Sequence, residues 1–385
     1  MSSPLTPSDR AQSIEPTLIR ALRSQMGPST IDFGLGQTDL AVSESVRRRM
    51  HGRWSESLTA PYTPNAGSLQ ARRAVADHVG AQADEIMLTC GVQEGLAVAI
   101  LGLCNPGDEV LVPDPGFPAY ANLVRAAGAR PVAYPLRAPT PRSPGWALDA
   151  TAVADRIGDD TALLVLNNPS NPTGSVHGAD ALRDTLEVAA ERGIGWVSDE
   201  IYEDYVYGAP FVSAADVSSG PGILLSGLSK SHHMMGWRLG WMVAPTETIE
   251  ALTPLHQHLV TCAPRPAQEA AIAALDDHDE AMRKTLSVFE KRRRQVLDGV
   301  DDLALGSPAS VDGAFYLFLD VRPWLDAFEN TADMARALLD EEDVMVIPGE
   351  GFGAGGLGHL RVAFTIGGDE LNEGIRRIHA FLTRH

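Results

Sequence analysis

The chain predicts an α/β fold: a large domain with a mostly parallel central sheet flanked by helices, and a smaller α+β domain made from both chain ends. Three observations predict it. From about residue 84, short apolar runs alternate with helix-length runs, the pattern of parallel strands covered on both faces. After about residue 303 the alternation gives way to a sparser mix of strands and helices. The length, 385 residues, suits two domains or one large α/β unit. The expected division is 1–44 for an N-terminal arm and the start of the small domain, 45–285 for the large domain, and 286–385 for the rest of the small one.

The elements follow in order. A short amphipathic stretch at 14–22 belongs to the arm. Residues 31–37 read as a short strand ending in glycines, where backbone N–H groups can approach a ligand closely. Residues 43–58 are helical and polar, 61–67 form a loop, and Gly67 or Ser68 caps a helix through 79. Strands are expected at 85–89, 109–112, 131–134, 162–166, 195–198, 222–225 and 239–243. Helices are expected between them at 93–103, 118–127, 150–157 and 179–191. Residues 139–144 form an exposed loop. Helices at 246–259 and 266–299 follow, the second broken near Asp276-Asp277-His278 and long enough to bridge two domains. Strands at 314–321, 344–347 and 360–364, with helices at 331–341 and 370–383, complete the small domain, which the arm joins.

Composition narrows the function. Hydrophobic residues make up 44% and charged residues 21% of the chain, as in ordinary globular proteins. A net charge of −19 argues against nucleic acid and anionic membrane as partners. It leaves room for small anions, because a local cluster of arginine and backbone N–H groups outvotes distant charge. Cys90, Cys104 and Cys262 show no metal-binding spacing and read as reduced core thiols. No basic, apolar leader opens the sequence, and no apolar run approaches the ~20 residues that span a bilayer. A cytoplasmic enzyme is the expectation.

Lysine is scarce: only Lys230, Lys284 and Lys291 occur, and the last two lie in a charged helical run. Arginine keeps its proton in proteins, whereas a buried lysine can lose it and act as an amine nucleophile. Lys230 follows the strand at 222–225. Other polar residues fall at the ends of neighbouring strands, where ligands sit in such sheets. Gly91-Val92-Gln93 opens a helix and offers an anion site. Asn167 to Gly174 follows the strand at 162–166, and Asp199-Glu200-Ile201-Tyr202 follows the strand at 195–198. Arg238 stands eight residues past the lysine. Taken singly, Asp199 reads as a helix cap, Tyr202 as an interface aromatic and Asn171 as a turn residue. Together they fit an aromatic aldehyde phosphate held as an imine. The lysine is the attachment point, a carboxylate keeps the ring nitrogen protonated, and a helix N-terminus with an arginine holds the phosphate.

The motifs Asn171-Pro172-Thr173-Gly174, Asp199-Glu200-Ile201-Tyr202, Ser229-Lys230, Gly236-Trp237-Arg238-Leu239-Gly240 and Leu360-Arg361-Val362-Ala363-Phe364 resemble the class I/II aminotransferases. These are the aspartate-aminotransferase-like, fold-type-I pyridoxal-phosphate enzymes, and the resemblance covers nearly the whole chain. It implies that 45–285 is the cofactor-binding domain, with pyridoxal 5'-phosphate bound as a Schiff base to Lys230, which also moves the substrate proton. It implies Asp199 on the pyridine nitrogen, Tyr202 and Asn171 on the ring oxygen, and Phe117 stacked on the ring, with Tyr120 its nearest rival. Gly91, Val92, Gln93 and Arg238 would hold the phosphate. Tyr62 would reach the phosphate of a partner subunit, which implies a homodimer with shared active sites. Arg361 would bind the substrate α-carboxylate, with Gly36 and Asn171 beside it. The plain alternative for Arg361 is a buried ion pair to an internal Asp or Glu.

Two positions depart from the family pattern. His233, next to His232, stands where relatives usually carry a small residue or asparagine, and reads as a packing substitution or as a polar group that reads the substrate or moves a proton. Gly227 stands where many relatives carry a phosphate-binding serine, which Ser226 or Ser229 would replace. His256 and His258 read as a solvated helix end, and Phe315 and Tyr316 as either pocket border or core. The resemblance implies transfer of an α-amino group between an L-amino acid and a 2-oxo acid. A lyase, cyclase or β/γ-substitution enzyme on the same cofactor is the alternative. A cofactor-binding regulator would need a DNA-binding domain ahead of Gly36, and the ~35 residues there are too few by usual domain sizes.

Overall fold

The computed structural model describes residues 5–14, 16–56, 61–140, 143, 145–208, 210–301 and 310–385. Strands are β1 (Ile31–Asp32), β2 (Ile86–Thr89), β3 (Glu109–Asp114), β4 (Arg130–Pro135), β5 (Thr161–Asn167) and β6 (Gly195–Asp199). They continue with β7 (Gly222–Gly227), β8 (Gly240–Val243), β9 (Tyr316–Asp320), β10 (Val344–Met345), β11 (Ile347–Pro348) and β12 (His359–Ala363). Seven form one sheet in the order β2-β8-β7-β6-β5-β3-β4. All its pairings are parallel except those of β8, which runs antiparallel to β2 and β7.

The mostly parallel sheet follows from sequence that is apolar at successive positions. In β5, Leu163 and Val165 point into one core with Leu96, Tyr120 and Val124, while Leu164 and Leu166 point into the other with Leu182 and Leu186. Period-two alternation with both faces apolar requires helices on both sides. Helices Val92–Leu103 and Ala119–Ala127 cover the first face, and Ala179–Glu191 covers the second. Parallel register sets Asn167 of β5 beside Asp199 of β6, and Asp199 beside Leu225 of β7. The polar residues that end these strands therefore share one sheet edge.

The second layer is a three-stranded sheet, β11-β12-β9, antiparallel throughout, with Arg361 of β12 opposite Phe318 and Ile347. A separate parallel pair, β1 with β10, joins the two ends of the chain. The stretch expected as one strand at 344–347 is thus split at Val346 between two partners. The strand expected at 31–37 stops after Asp32, whose Oδ1 accepts the N–H groups of Gly34 (2.8 Å) and Leu35 (3.2 Å) and turns the chain. The turn leaves 34–37 as a loop whose backbone faces the site described below.

Helices Arg265–Asp276 and His278–Asp301 break at Asp277, as expected. The second spans about 36 Å at the usual rise. It buries Met282, Phe289, Val296 and Val300 along one stripe against the second layer. The helix expected at 150–157 is shorter, Ala150–Ala154, capped by Asp149. Ser68 caps helix Leu69–Val79. The helix expected at 43–58 runs Glu44–Glu56, and 57–58 lie outside the described residues. The loop expected at 139–144 lies partly outside them, since 141, 142 and 144 are not described. Among the described residues no helix is long and apolar enough to cross a membrane.

Candidate active site

Strand β7 runs into the helical turn Leu228–Ser231, which carries Lys230. Gly227 sits at the join with an extended backbone, and a Cβ there would lie 2.7 Å from the Gly240 Cα of β8. A serine at 227 would need the two strands to separate, which accounts for the glycine. Lys230 Nζ donates to the Gly36 carbonyl at 2.7 Å, and the Tyr205 hydroxyl donates to the Lys230 carbonyl at 2.9 Å. Burial, helped by the Arg361 and Arg238 guanidiniums and opposed by Asp199, pulls the amine down to about 8.

Asp199 ends β6 with its carboxylate buried. Oδ2 accepts the Tyr120 hydroxyl at 2.9 Å and Oδ1 accepts the Ile201 N–H at 3.2 Å. Burial raises it to about 6, with both hydrogen bonds and the Lys230 charge opposing. Asn167 ends β5 and holds the next loop in place. Its Nδ2 donates to the Asp199 carbonyl at 2.9 Å and its Oδ1 accepts the Asn171 N–H at 2.8 Å.

The turn after β2 places Gly91 as N-cap of helix Val92–Leu103, with φ 79°. The positive φ favours glycine at 91, and a Cβ there would lie 2.5 Å from Arg238 Nη2 and push the guanidinium off the turn. Arg238 donates to the carbonyls of Met235 (2.9 Å) and Cys90 (3.2 Å). A free helix N-terminus under a guanidinium is a site for an anion.

Arg361 lies mid-strand in β12 and is 2% exposed. Its guanidinium stacks on the rings of Tyr316 (4.5 Å) and Phe352 (4.8 Å). Nη1 donates to Asn171 Oδ1 at 2.9 Å and Nη2 to the Gly34 carbonyl. Its Nε is buried without a partner, and among the described residues its hydrogen bonds go to an amide and a carbonyl, with the Asp32 charge acting on it but forming no ion pair. The internal ion pair considered as the plain alternative is therefore absent there.

These groups border one cavity of about 310 Å³, within the size range of small-ligand sites. Of the residues expected from the sequence, Lys230, Asp199, Tyr202, Asn171, Phe117, Val92 and Gln93 line it, as do Arg238, Arg361 and Gly36. Gly91 stands behind Arg238.

The family model for aminotransferase class I and II matches residues 28–378. The chain belongs to this family. It is 31% identical to a probable N-acetyl-LL-diaminopimelate aminotransferase of Bacillus subtilis, over 97% of this chain and 95% of that one. It is also 31% identical to an aspartate aminotransferase of Sulfurisphaera tokodaii, over 94% and 92%. The solved aspartate aminotransferase from Thermus thermophilus with maleate superposes with a TM-score of 0.89 at 28% identity, covering 98% of this chain and all (100%) of that one. The enzyme is an aminotransferase, and the lyase, cyclase or substitution alternative is not favoured.

The structure adds residues to this cavity and decides between readings the sequence left open, among them Tyr316 as pocket border or core and Ser226 or Ser229. Tyr120, considered only for stacking, is the hydroxyl donor to Asp199 and meets Phe117 edge-on with centroids 5.7 Å apart. Tyr316 borders the cavity and shares a hydrogen bond of 2.8 Å with the Tyr202 hydroxyl. It also explains Gly36, where a Cβ would lie 2.1 Å from the Tyr316 hydroxyl oxygen. Ile19, Gln37 and Met235 line the cavity too, and no local pattern marked them. Ser229 lines it, whereas Ser226 gives its hydroxyl to Glu203.

Other residues stay outside. Tyr62 is 83% exposed and away from the cavity. Its loop is held by Asn65 Nδ2 on the Thr261 carbonyl (2.7 Å) and Gln268 Nε2 on Thr63 Oγ1 (3.0 Å). His232 is buried, with ring nitrogens 3.0 Å from Ser231 Oγ and from the Ala274 carbonyl. His233 Nε2 meets Thr285 Oγ1 at 3.1 Å. Burial holds both imidazoles down to about 4, and neither lines the cavity, which favours the packing reading. The expectation that His256 is solvated is wrong. It is fully buried (0% exposed), because helix Thr246–Val260 packs that face onto helix Val92–Leu103, where Glu94 meets it.

Proposed function

We propose that the cavity binds pyridoxal phosphate on Lys230 and that the enzyme passes an α-amino group from an amino acid to a 2-oxo acid. The observation that carries this reading is one cavity bordered by a buried amine, a buried acid and a buried guanidinium whose Nε has no partner and whose hydrogen bonds, among the described residues, go to no carboxylate. The residues fit the cofactor. The Gly91 turn, where a Cβ would crowd the Arg238 guanidinium, makes an anion cradle with Arg238. The orphaned Arg361 Nε fits a group not yet in place.

When bound, the cofactor supplies an electron sink for the charge left at the substrate α-carbon. Asp199 holds the proton on the ring nitrogen that makes that sink effective. Lys230 Nζ would anchor the ring, and its neutral amine would take the proton from the substrate α-carbon. Its lowered affinity for protons leaves a usable fraction of neutral amine near neutrality. Tyr202 and Asn171 hold the ring oxygen, and Phe117 covers one ring face. The N–H groups of the Gly91–Val92–Gln93 turn and Arg238 hold the phosphate, with the Ser229 hydroxyl in place of the one missing at 227. Arg361, with Gly36 and Asn171 beside it, takes the substrate α-carboxylate. Tyr62 serves a partner subunit's phosphate, so the working unit is a homodimer, and residues 1–44 and 286–385 form the small domain that meets the 45–285 domain across the substrate.

Without a 2-oxo acid acceptor, a panel of amino donors should each release one equivalent of 2-oxo acid per site, with conversion of the cofactor absorbance. Adding an acceptor should restore turnover. Continuous release without acceptor would mean elimination and would overturn the reading. Tyr120→Phe removes a hydrogen bond that favours the charged form of Asp199, so its pKa rises further. The expected result is a fall in kcat/KM of about tenfold, with the acid limb of the pH–rate profile moved to higher pH.

A further inference from the structure

Glu94 and His256 have no role in the reading above, yet they stand directly behind the turn assigned to phosphate. Glu94 is the third residue of helix Val92–Leu103, whose N-cap is Gly91. A carboxylate there ordinarily neutralises the positive end of its own helix. In this site it would share that end with a phosphate dianion, so its side chain needs other employment. The structure shows it. Glu94 Oε2 accepts the Cys90 N–H at 3.0 Å, and Oε1 accepts from His256 Nδ1 at 2.9 Å. His256 is fully buried, and its Nε2 has no partner. The Cys90 carbonyl in turn accepts from Arg238 Nη2 at 3.2 Å. The backbone of Cys90 is therefore gripped from behind by Glu94 and from the cavity side by the guanidinium. One chain of contacts runs from helix Thr246–Val260 through His256, Glu94 and Cys90 to Arg238.

We infer that Glu94, buttressed by His256, is a positioning residue for the phosphate group. It fixes the Cys90–Gly91 turn so that the helix N–H groups and Arg238 converge on one point, and it leaves the lysine and ring contacts alone. The inference rests on the phosphate reading of that turn. It is tested on the full-length protein cleared of cofactor and titrated, by visible absorbance, with pyridoxal phosphate and separately with pyridoxal.

Wild type should prefer the phosphate ester. Glu94→Ala should raise the Kd for pyridoxal phosphate about tenfold while leaving pyridoxal within about twofold. Glu94→Gln, whose amide oxygen still accepts the Cys90 N–H, should keep most of the preference. His256→Leu should shift the ratio in the same direction as Glu94→Ala. A Glu94→Ala protein with the wild-type ratio, or one that loses both aldehydes alike, overturns the inference, the second result marking a purely structural carboxylate. A wild type without any preference is a different result, since it removes the phosphate reading of the turn itself.

Discussion

Lys230→Ala should lower kcat by at least ~10⁴-fold, the upper range for loss of a positioned acid–base group, with loss of the cofactor anchor added to it. The purified variant should also lack the visible absorbance of lysine-linked cofactor. It should still fold, because Lys230 borders a cavity and its only side-chain hydrogen bond among the described residues is to the Gly36 carbonyl. The pH dependence of stability adds an independent readout on cofactor-free protein. Burial lowers the native amine from 10.5 to about 8, so the unfolded chain binds the extra proton between those values. Wild-type stability should therefore rise relative to Lys230→Ala as pH climbs from about 8 to 10.5, and the gap should be constant below about 8. Thermal melts across that range measure it. Normal turnover by Lys230→Ala would remove the assignment.

Arg361→Ala should cut kcat/KM for amino acids by about 10²- to 10³-fold, carried mainly by KM, as expected when one partner of a buried charge pair is removed. Arg361→Lys should recover only part of this, because an ammonium cannot present the planar fork to a carboxylate. The guanidinium also donates to Asn171 and Gly34, so loss of wall structure needs separating from loss of substrate contact. An amine donor without an α-carboxylate makes the separation. If Arg361 reads that carboxylate, such a donor loses little in the variant. Equal losses for both donor types would reduce Arg361 to a brace for the loop at 34–36.

The residues that announced themselves in the sequence were those whose chemistry is costly anywhere else. A lysine in a chain that otherwise uses arginine, or an arginine inside an apolar strand, needs a special environment. Asp199, Asn171 and Lys230 were also legible by position, because parallel strands end at one edge. The bond from the Tyr120 hydroxyl to Asp199 was not legible, because the two are 79 residues apart and nothing local distinguishes a stacking ring from a hydroxyl donor. His256 was misjudged because its burial comes from packing against a helix whose Glu94 lies 162 residues earlier. The split of 344–347 between two partners was equally hidden, because each short strand satisfies the same apolar pattern.

Local order and chemical kind were written along the chain: alternating strands and helices, a break at Asp277, an amine and an acid at neighbouring strand ends, and the family those motifs resemble. Only tertiary packing decided which groups touch. It set Arg361 against two rings with its hydrogen bonds on an amide and a carbonyl, brought Gly36 to the lysine across 194 residues of sequence, and placed Glu94 against His256 behind the anion turn. The physical reason is range. Periodicity and capping act within a few residues, whereas burial, pKa and hydrogen-bond partnership depend on contacts between segments that the sequence keeps far apart.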